Sequence, residues 1–237
     1  MSSAFAQDKN IVLIADPRVL SLSINENNGH FVDIKNHDEI AYGPSPEIPN
    51  NTDYTKMRKT VYEKLKQAQS LLPKGLHFCL YEGYRSLDLQ KQLFDEQYQS
   101  NQRLHPDWSA HELFSETIKL ISPMINEDGS TNIPPHATGG AIDVYFIDDA
   151  GHAVDMGIHP KDWMKDAGGV RSLTASEVIS PEAKKNRHTM SQVLAQVGFI
   201  NYPTEYWHWS YGDRYWAYLS KHQHAIYGSV EHPKFDG

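Results

Sequence analysis

The chain has 237 residues, 39% hydrophobic and 11% aromatic, a length and composition that favour one domain with a buried core over a disordered chain. Its 22 basic and 30 acidic residues give a net charge of −8, which argues against a nucleic-acid binder that relies on bulk attraction to phosphate. Cys79 is the one cysteine, which excludes a disulfide framework and a multi-cysteine zinc site, and no apolar run approaches the roughly 18 residues of a membrane span.

The N-terminus carries neither a basic stretch nor an apolar stretch, so no secretory signal is predicted and we expect a cytoplasmic protein. Ala4-Phe5-Ala6 has the small-x-small form of a cleavage site. A periplasmic location therefore stays open as an alternative, if a signal has been removed.

The first clear pattern is an amphipathic helix that Pro73 and Gly75 end. Its apolar stripe has spacings of four, three and four and consists of Val61, Leu65, Ala68 and Leu72. Residues 76–82 then predict a short buried strand. Ser86 can cap a second helix with Leu89 and Leu93 on its inner face, and a third helix is indicated by Phe114, Ile118 and Ile121.

The second half of the chain mixes strands and helices without a regular βαβ alternation. Residues 141–148 alternate and predict a strand, and the glycine-containing link 149–152 suggests a hairpin. A long loop is predicted over 157–176 and a helix over 181–197, with Ser180 as its N-cap. The aromatic segment 199–211 predicts another strand, and the whole pattern favours the α+β class.

His136 precedes the pair Gly139-Gly140, and Asp143 follows on the predicted strand. The glycines allow a tight turn, so the imidazole and the carboxylate can face one point. Such a pair is half of a zinc site. Taken alone, the segment is explained more simply by a capped turn followed by a surface aspartate.

Glu205 and His208 stand three residues apart in a dense aromatic cluster. On a regular strand this spacing points the two side chains to opposite faces, so a bulge or a strand end has to bring them together. A salt-bridged glutamate beside a core histidine is the alternative. Taken together, His136, Asp143 and His208 supply three ligands of a catalytic zinc site, with Glu205 placed to take a proton from the zinc-activated water.

Arg85 lies at the end of the predicted strand 76–82, just before the second helix. An arginine at this point can stabilise the oxyanion that forms when water attacks an amide carbonyl. The alternative is a structural ion pair with Glu82 or Asp88.

Four motifs in order resemble the D-alanyl-D-alanine dipeptidases, which are zinc D,D-dipeptidases of the vancomycin-resistance type. The motifs are Gly83-Tyr84-Arg85-Ser86, His136-x-x-Gly139-Gly140-Ala141-Ile142-Asp143, Asp155-Met156-Gly157 and Glu205-x-Trp207-His208. Related D,D-carboxypeptidases and L-alanyl-D-glutamate endopeptidases share the second and fourth. The resemblance covers roughly residues 30–220.

The resemblance implies an α+β fold with an antiparallel sheet and packed helices, an N-terminal arm over 1–29, and one catalytic domain over 30–237. It implies one Zn²⁺ per chain on His136, Asp143 and His208, Glu205 as general base and Arg85 as transition-state stabiliser. The expected reaction is hydrolysis of a small peptide substrate, D-Ala-D-Ala, to two D-alanines. The alternatives are a D,D-carboxypeptidase or other peptidoglycan peptidase, and a non-catalytic zinc-containing module that binds the cell wall.

Two positions bear on substrate binding. Pro134 stands where the family's best-known member has a serine that helps hold the substrate, so anchoring at this point has to differ. Asp162, in the loop after Asp155-Met156-Gly157, is the candidate carboxylate for the substrate's free amino end.

Overall fold

A computed structural model describes residues 11–46, 48–118, 120–166 and 168–235. Ala4-Phe5-Ala6 lies outside these residues. Within them, no helix is both long enough and apolar enough to cross a bilayer.

The helices are α1 (Pro17–Leu20), α2 (Lys59–Ser70), α3 (Leu87–Leu104), α4 (Ala110–Thr117), α5 (Pro181–Gln196) and α6 (Arg214–Leu219). The strands are β1 (Ser23–Ile24), β2 (Phe31–Asp33), β3 (Ala41–Tyr42), β4 (Lys56–Arg58), β5 (His77–Glu82), β6 (Ala141–Ile147), β7 (Ile200–Tyr202), β8 (Glu205–Ser210) and β9 (His224–Ala225).

A five-stranded sheet in the order β3-β5-β6-β8-β7 organises the molecule. Its neighbouring strands are antiparallel, except that β3 runs parallel to β5 at the edge. Two further pairs, β1-β9 and β2-β4, form small separate sheets. The predicted α+β class is therefore confirmed.

One face of the sheet forms the core, and the other carries the polar residues of interest. Ile142, Val144 and Phe146 of β6 are fully buried in one apolar cluster with side chains of α2 and α5. Because side chains alternate along a strand, Asp143 projects from the opposite face, as the sequence predicts.

Most of the predicted elements are present with caps where the sequence places them. Val61, Leu65 and Ala68 of α2 are buried. The Ser86 hydroxyl accepts a hydrogen bond from the Leu89 amide at the start of α3, and Ser180 caps α5 in the same way.

Three predicted elements are wrong in extent. Helix α2 ends at Ser70, so Leu72 lies beyond it. The segment 199–211 is a hairpin of β7 and β8 with Pro203 and Thr204 between them, because proline has no amide hydrogen to donate to a strand ladder. Helix α4 ends at Thr117, so Ile121 lies beyond it.

The N-terminal part of the described chain packs on the C-terminal part. β1 pairs in parallel with β9, and the Tyr215 hydroxyl on α6 donates to the Val12 carbonyl at 3.1 Å. The boundary between an arm and a domain at residue 29 stays a prediction.

Candidate metal centre and active site

Three side chains from separate elements meet on the polar face of the sheet. His136 lies in a 3₁₀ turn (Pro135–Thr138), Asp143 is on β6, and His208 pairs directly with it on β8. One donor atom from each lies within 4.8 Å of the other two, and all three residues are buried.

Glycines allow the backbone to support this cluster. Gly139 ends the 3₁₀ turn with φ of +69°, and a Cβ there would lie 2.4 Å from the Phe31 ring. A Cβ on Gly83 would lie 2.4 Å from the Lys56 carbonyl oxygen. The close approach matters because the Gly83 carbonyl accepts a hydrogen bond from His136 Nδ1 at 2.7 Å, which turns Nε2 towards Asp143.

The spacing of the donor atoms fits a zinc ion. Asp143 Oδ1 lies 3.5 Å from His136 Nε2 and 3.0 Å from His208 Nδ1. Tetrahedral zinc with bonds of about 2.0–2.1 Å places neighbouring ligand atoms about 3.3 Å apart. The bond from His136 to Gly83 is also the outer support that a metal-ligating histidine commonly has.

Burial and charge oppose each other within the cluster. Burial alone would lower the pKa of His136, but the neighbouring Asp143 carboxylate outweighs it and raises the pKa to about 9. Burial alone would raise the pKa of Asp143, yet the two imidazoles hold it well below its usual range. A buried carboxylate therefore draws positive charge to this point, which also suits a cation.

Glu205 reaches the same cavity because β8 is irregular. The pairing of β7 with β8 shifts between Asn201 and Tyr202, so that Asn201 pairs with Trp209 while Tyr202 pairs with Glu205. The hairpin end and this bulge bring Glu205 and His208 to one site, as their spacing requires. Burial raises the pKa of the Glu205 carboxyl, against the opposing effect of His208.

A cavity of about 700 Å³ opens over the cluster. Its wall includes apolar residues from five separate parts of the chain, together with all the residues of the candidate centre. Among the lining residues are Leu13, Ile14, Ala15, Arg85, Ile118, Leu120, Ile121, Pro134, His136, Asp143, Trp163, Tyr202, Glu205, Trp207 and His208.

Arg85 lines this cavity and is also an ion-pair partner, so both interpretations of it have support. Its Nε and Nη2 donate to the two carboxylate oxygens of Glu82, the former at 2.8 Å, and Nη1 donates to Gln90 Oε1 at 2.9 Å. Glu82 is 1% exposed and lies opposite Asp143 in the sheet. The pair therefore fixes the guanidinium in the wall of the cavity that His136, Asp143 and His208 also line.

Asp162 lies apart from this cavity. It lines a neighbouring cavity of about 410 Å³, and it bonds Lys165 Nζ at 2.6 Å. Its role in binding a substrate amino group stays a prediction. Pro134, by contrast, is in the wall of the larger cavity, and its carbonyl accepts from the Ala137 amide at 3.1 Å.

Sequence reasoning missed two residues that contact β8 next to the cluster, Asn201 and Tyr202. Asn201 bonds the backbone on both sides of the β8 bulge, and the Tyr202 ring stands edge-on to His208 with centroids 5.9 Å apart. A polar side chain within an aromatic strand just before Pro203 was the available signal for Asn201.

Comparison with known proteins gives a consistent result. A family model described as D-ala-D-ala dipeptidase, peptidase M15, matches residues 50–227. A D-alanyl-D-alanine dipeptidase from Synechocystis sp. (strain ATCC 27184 / PCC 6803 / Kazusa) is 24% identical over 208 residues, covering 74% of this chain and 79% of the relative.

Solved structures with some likeness include VanYB in complex with D-alanine-D-alanine, at 14% identity and a TM-score of 0.40, covering 73% of this chain and 81% of that one. The LD-carboxypeptidase LdcB is 16% identical with a TM-score of 0.37, covering 84% of this chain and 76% of that one.

Proposed function

Because the chain belongs to the D-ala-D-ala dipeptidase family of metallopeptidases, we propose that it hydrolyses D-Ala-D-Ala to two D-alanines with one zinc ion per chain. The observation that carries the proposal is the meeting of His136, Asp143 and His208 in a cavity that Glu205 also lines. Three protein ligands leave a fourth position for water or substrate, which is typical of catalytic zinc sites.

Zinc in this position would polarise the scissile carbonyl and lower the pKa of the attacking water. His136, Asp143 and His208 would hold the ion, and the Gly83 carbonyl keeps the proton of His136 on Nδ1. Glu205 takes the proton of the water and delivers it to the leaving amine. Glu205 lines the same cavity as the three ligands, so one carboxylate is placed for both proton transfers.

Arg85 supplies a fixed positive charge at the cavity wall, where it stabilises the developing oxyanion. Glu82 and Gln90 hold the guanidinium in one orientation, so little reorganisation is needed during the reaction. A site that only held the fold together would need no free carboxylate, and Glu205 therefore favours catalysis over a wall-binding module.

The size of the cavity supports a second candidate, a D,D-carboxypeptidase acting on longer wall peptides. Pockets of about 300–1,000 Å³ accommodate drug-sized molecules, and the cavity of about 700 Å³ exceeds the needs of an alanine dipeptide. The two candidates share the zinc chemistry and differ in the length of peptide admitted.

A substrate panel separates the candidates. We expect the zinc-loaded protein to hydrolyse free D-Ala-D-Ala and to leave a pentapeptide wall fragment largely intact, with activity lost to a chelator and restored by zinc. Faster release of D-alanine from the pentapeptide would favour the carboxypeptidase. Zinc binding without hydrolysis of any member would favour the binding module.

A further inference from the structure

The bulge between Glu205 and His208 leaves backbone groups that a regular ladder would pair. The consecutive residues Asn201 and Tyr202 of β7 pair with residues that are four apart on β8, Trp209 and Glu205. Carbonyls in such a bulge lose their strand partners, and buried backbone groups almost always find others.

The Asn201 side chain supplies partners at both ends of the bulge. Its Nδ2 donates to the Glu205 carbonyl at 3.2 Å and to the His208 carbonyl at 3.0 Å. Between these two, the Tyr206 carbonyl accepts from Trp209 Nε1 at 3.0 Å. One amide group thus spans the residues of the candidate base and of one candidate ligand.

Asn201 is itself held from the long loop before α5. Its Oδ1 accepts from the Thr174 hydroxyl at 2.5 Å, and the Thr174 amide donates to the Pro203 carbonyl at 2.9 Å. With its oxygen bonded to Thr174, the amide has one orientation that leaves both N–H groups for the bulge.

We propose that Asn201 is a positioning residue for the zinc centre, setting the distance between Glu205 and His208 through their backbones. The inference rests on the proposed function, because it assigns Asn201 a role in the same site. The convergence of two side chains spaced three apart on a strand depends on the bulge, and Asn201 is the side chain that bonds both of its ends.

Zinc affinity is the decisive measurement, made by titration of the full-length metal-free protein against a competing chelator. We expect Asn201→Ala to weaken zinc binding by about 10–100-fold, the range typical for loss of an outer support. With zinc in excess, kcat for D-Ala-D-Ala should fall more than KM rises, because the base and the ligand are both displaced. Asn201→Ser, which keeps one donor, should restore part of both.

Thr174→Val tests the same network without touching Asn201. It removes the bond to Oδ1 and should weaken zinc binding in the same direction by a smaller factor. If Asn201→Ala does not fold, Asn201→Ser and Thr174→Val decide the matter.

Asn186→Ala is the matched control, because Asn186 also donates its amide to a backbone carbonyl, that of Asp155, at 2.8 Å. It should leave zinc affinity unchanged. Unchanged affinity in the Asn201 and Thr174 variants, with a wild type that binds zinc and is active, would overturn the positioning role alone. A wild type that binds no zinc would overturn the proposed function as well.

Discussion

His136 and His208 reach the same carboxylate with different support, and our proposal requires both of them to hold the metal ion. His136 is fixed by the Gly83 carbonyl, whereas His208 lies on β8 with Nε2 buried and bonded to no atom of the described chain. Losing either imidazole leaves Asp143 with one partner, and two ligands hold zinc poorly.

We therefore expect His136→Ala and His208→Ala to lose both stoichiometric zinc and activity. In the wild type, zinc at 1,000 times its dissociation constant stabilises the fold by about 4 kcal/mol, so a chelator should lower the Tm of the wild type and leave that of the variants unchanged. His152→Ala and His159→Ala are controls outside the cluster. Stoichiometric zinc in His208→Ala would contradict the ligand assignment.

Glu205→Gln separates proton transfer from metal binding. Glutamine keeps the size of the side chain and cannot accept the water proton, so zinc should stay bound while kcat falls by about 10²–10⁴-fold. Metal analysis and steady-state kinetics on one preparation measure both effects. A kcat close to that of the wild type would show that another group is the base.

Arg85 requires a pair of variants, because it supports Glu82 as well as facing the cavity. Arg85→Ala should lower kcat by about 10²-fold or more, by analogy with the loss of one oxyanion donor, with a smaller change in KM. It should also lower Tm, because breaking a buried ion pair leaves an uncompensated charge on Glu82.

Adding Glu82→Gln to Arg85→Ala should then recover part of the Tm without recovering kcat, since the amide removes the buried charge and supplies no cation. Melting curves and kinetics of the two proteins test this. Recovery of turnover together with stability would make Arg85 a structural residue only.

At the level of elements, Arg187 on α5 holds the long loop between β6 and α5, which borders both cavities. Its guanidinium donates to the carbonyls of Met156, Leu173 and Arg171, with the Met156 bond from Nε at 2.8 Å, and it stacks 4.0 Å from the centre of the Tyr206 ring. Its burial lowers its pKa to about 10. The residue is 2% exposed and bonds only backbone acceptors in the described contacts.

Arg187→Met should therefore destabilise the protein by at least about 2 kcal/mol, because several buried carbonyls lose their donor. Urea denaturation measures this change, and hydrogen exchange should report faster opening of residues 156–173. The exposed substitution Lys185→Met on the same helix is the control. Equal stability of the two variants would show that the loop does not depend on Arg187.

The elements also show what the sequence could and could not predict. Helices α2, α3 and α5 were predicted because their apolar stripes and caps are local signals. The hairpin of β7 and β8 was predicted as one strand, since aromatic residues favour a strand on both sides of Pro203. Its bulge depends on contacts from Asn201 to distant carbonyls, which no local pattern encodes.

At the scale of the whole molecule, residues 13–15 near the N-terminus form part of the wall of the cavity over the candidate metal centre. The Tyr215 hydroxyl holds the Val12 carbonyl at 3.1 Å, and the backbone of Ile14 hydrogen bonds the Tyr202 hydroxyl. Tyr202 in turn stands edge-on to His208. Leu13 and Ile14 line the cavity together with residues that follow α4.

Shortening the side chains of Leu13 and Ile14 should widen the cavity and leave the proposed metal ligands in place. We expect the double variant Leu13→Ala with Ile14→Ala to bind zinc like the wild type. The segment contacts Tyr215 and Tyr202 through backbone atoms, which these substitutions keep. The KM for D-Ala-D-Ala should rise several-fold, since apolar surface of Leu13 and Ile14 that a bound substrate would cover contributes about 25 cal/mol per Å². The ratio of kcat/KM for a pentapeptide wall fragment to that for D-Ala-D-Ala should rise, because a longer chain gains room.

Val178→Ala, at an apolar position that is 65% exposed and outside the cavity wall, should leave this ratio unchanged. An unchanged ratio in the double variant would mean that peptide length is limited elsewhere, and a loss of zinc would mean that the segment supports His208 through Tyr202 and does not select the substrate.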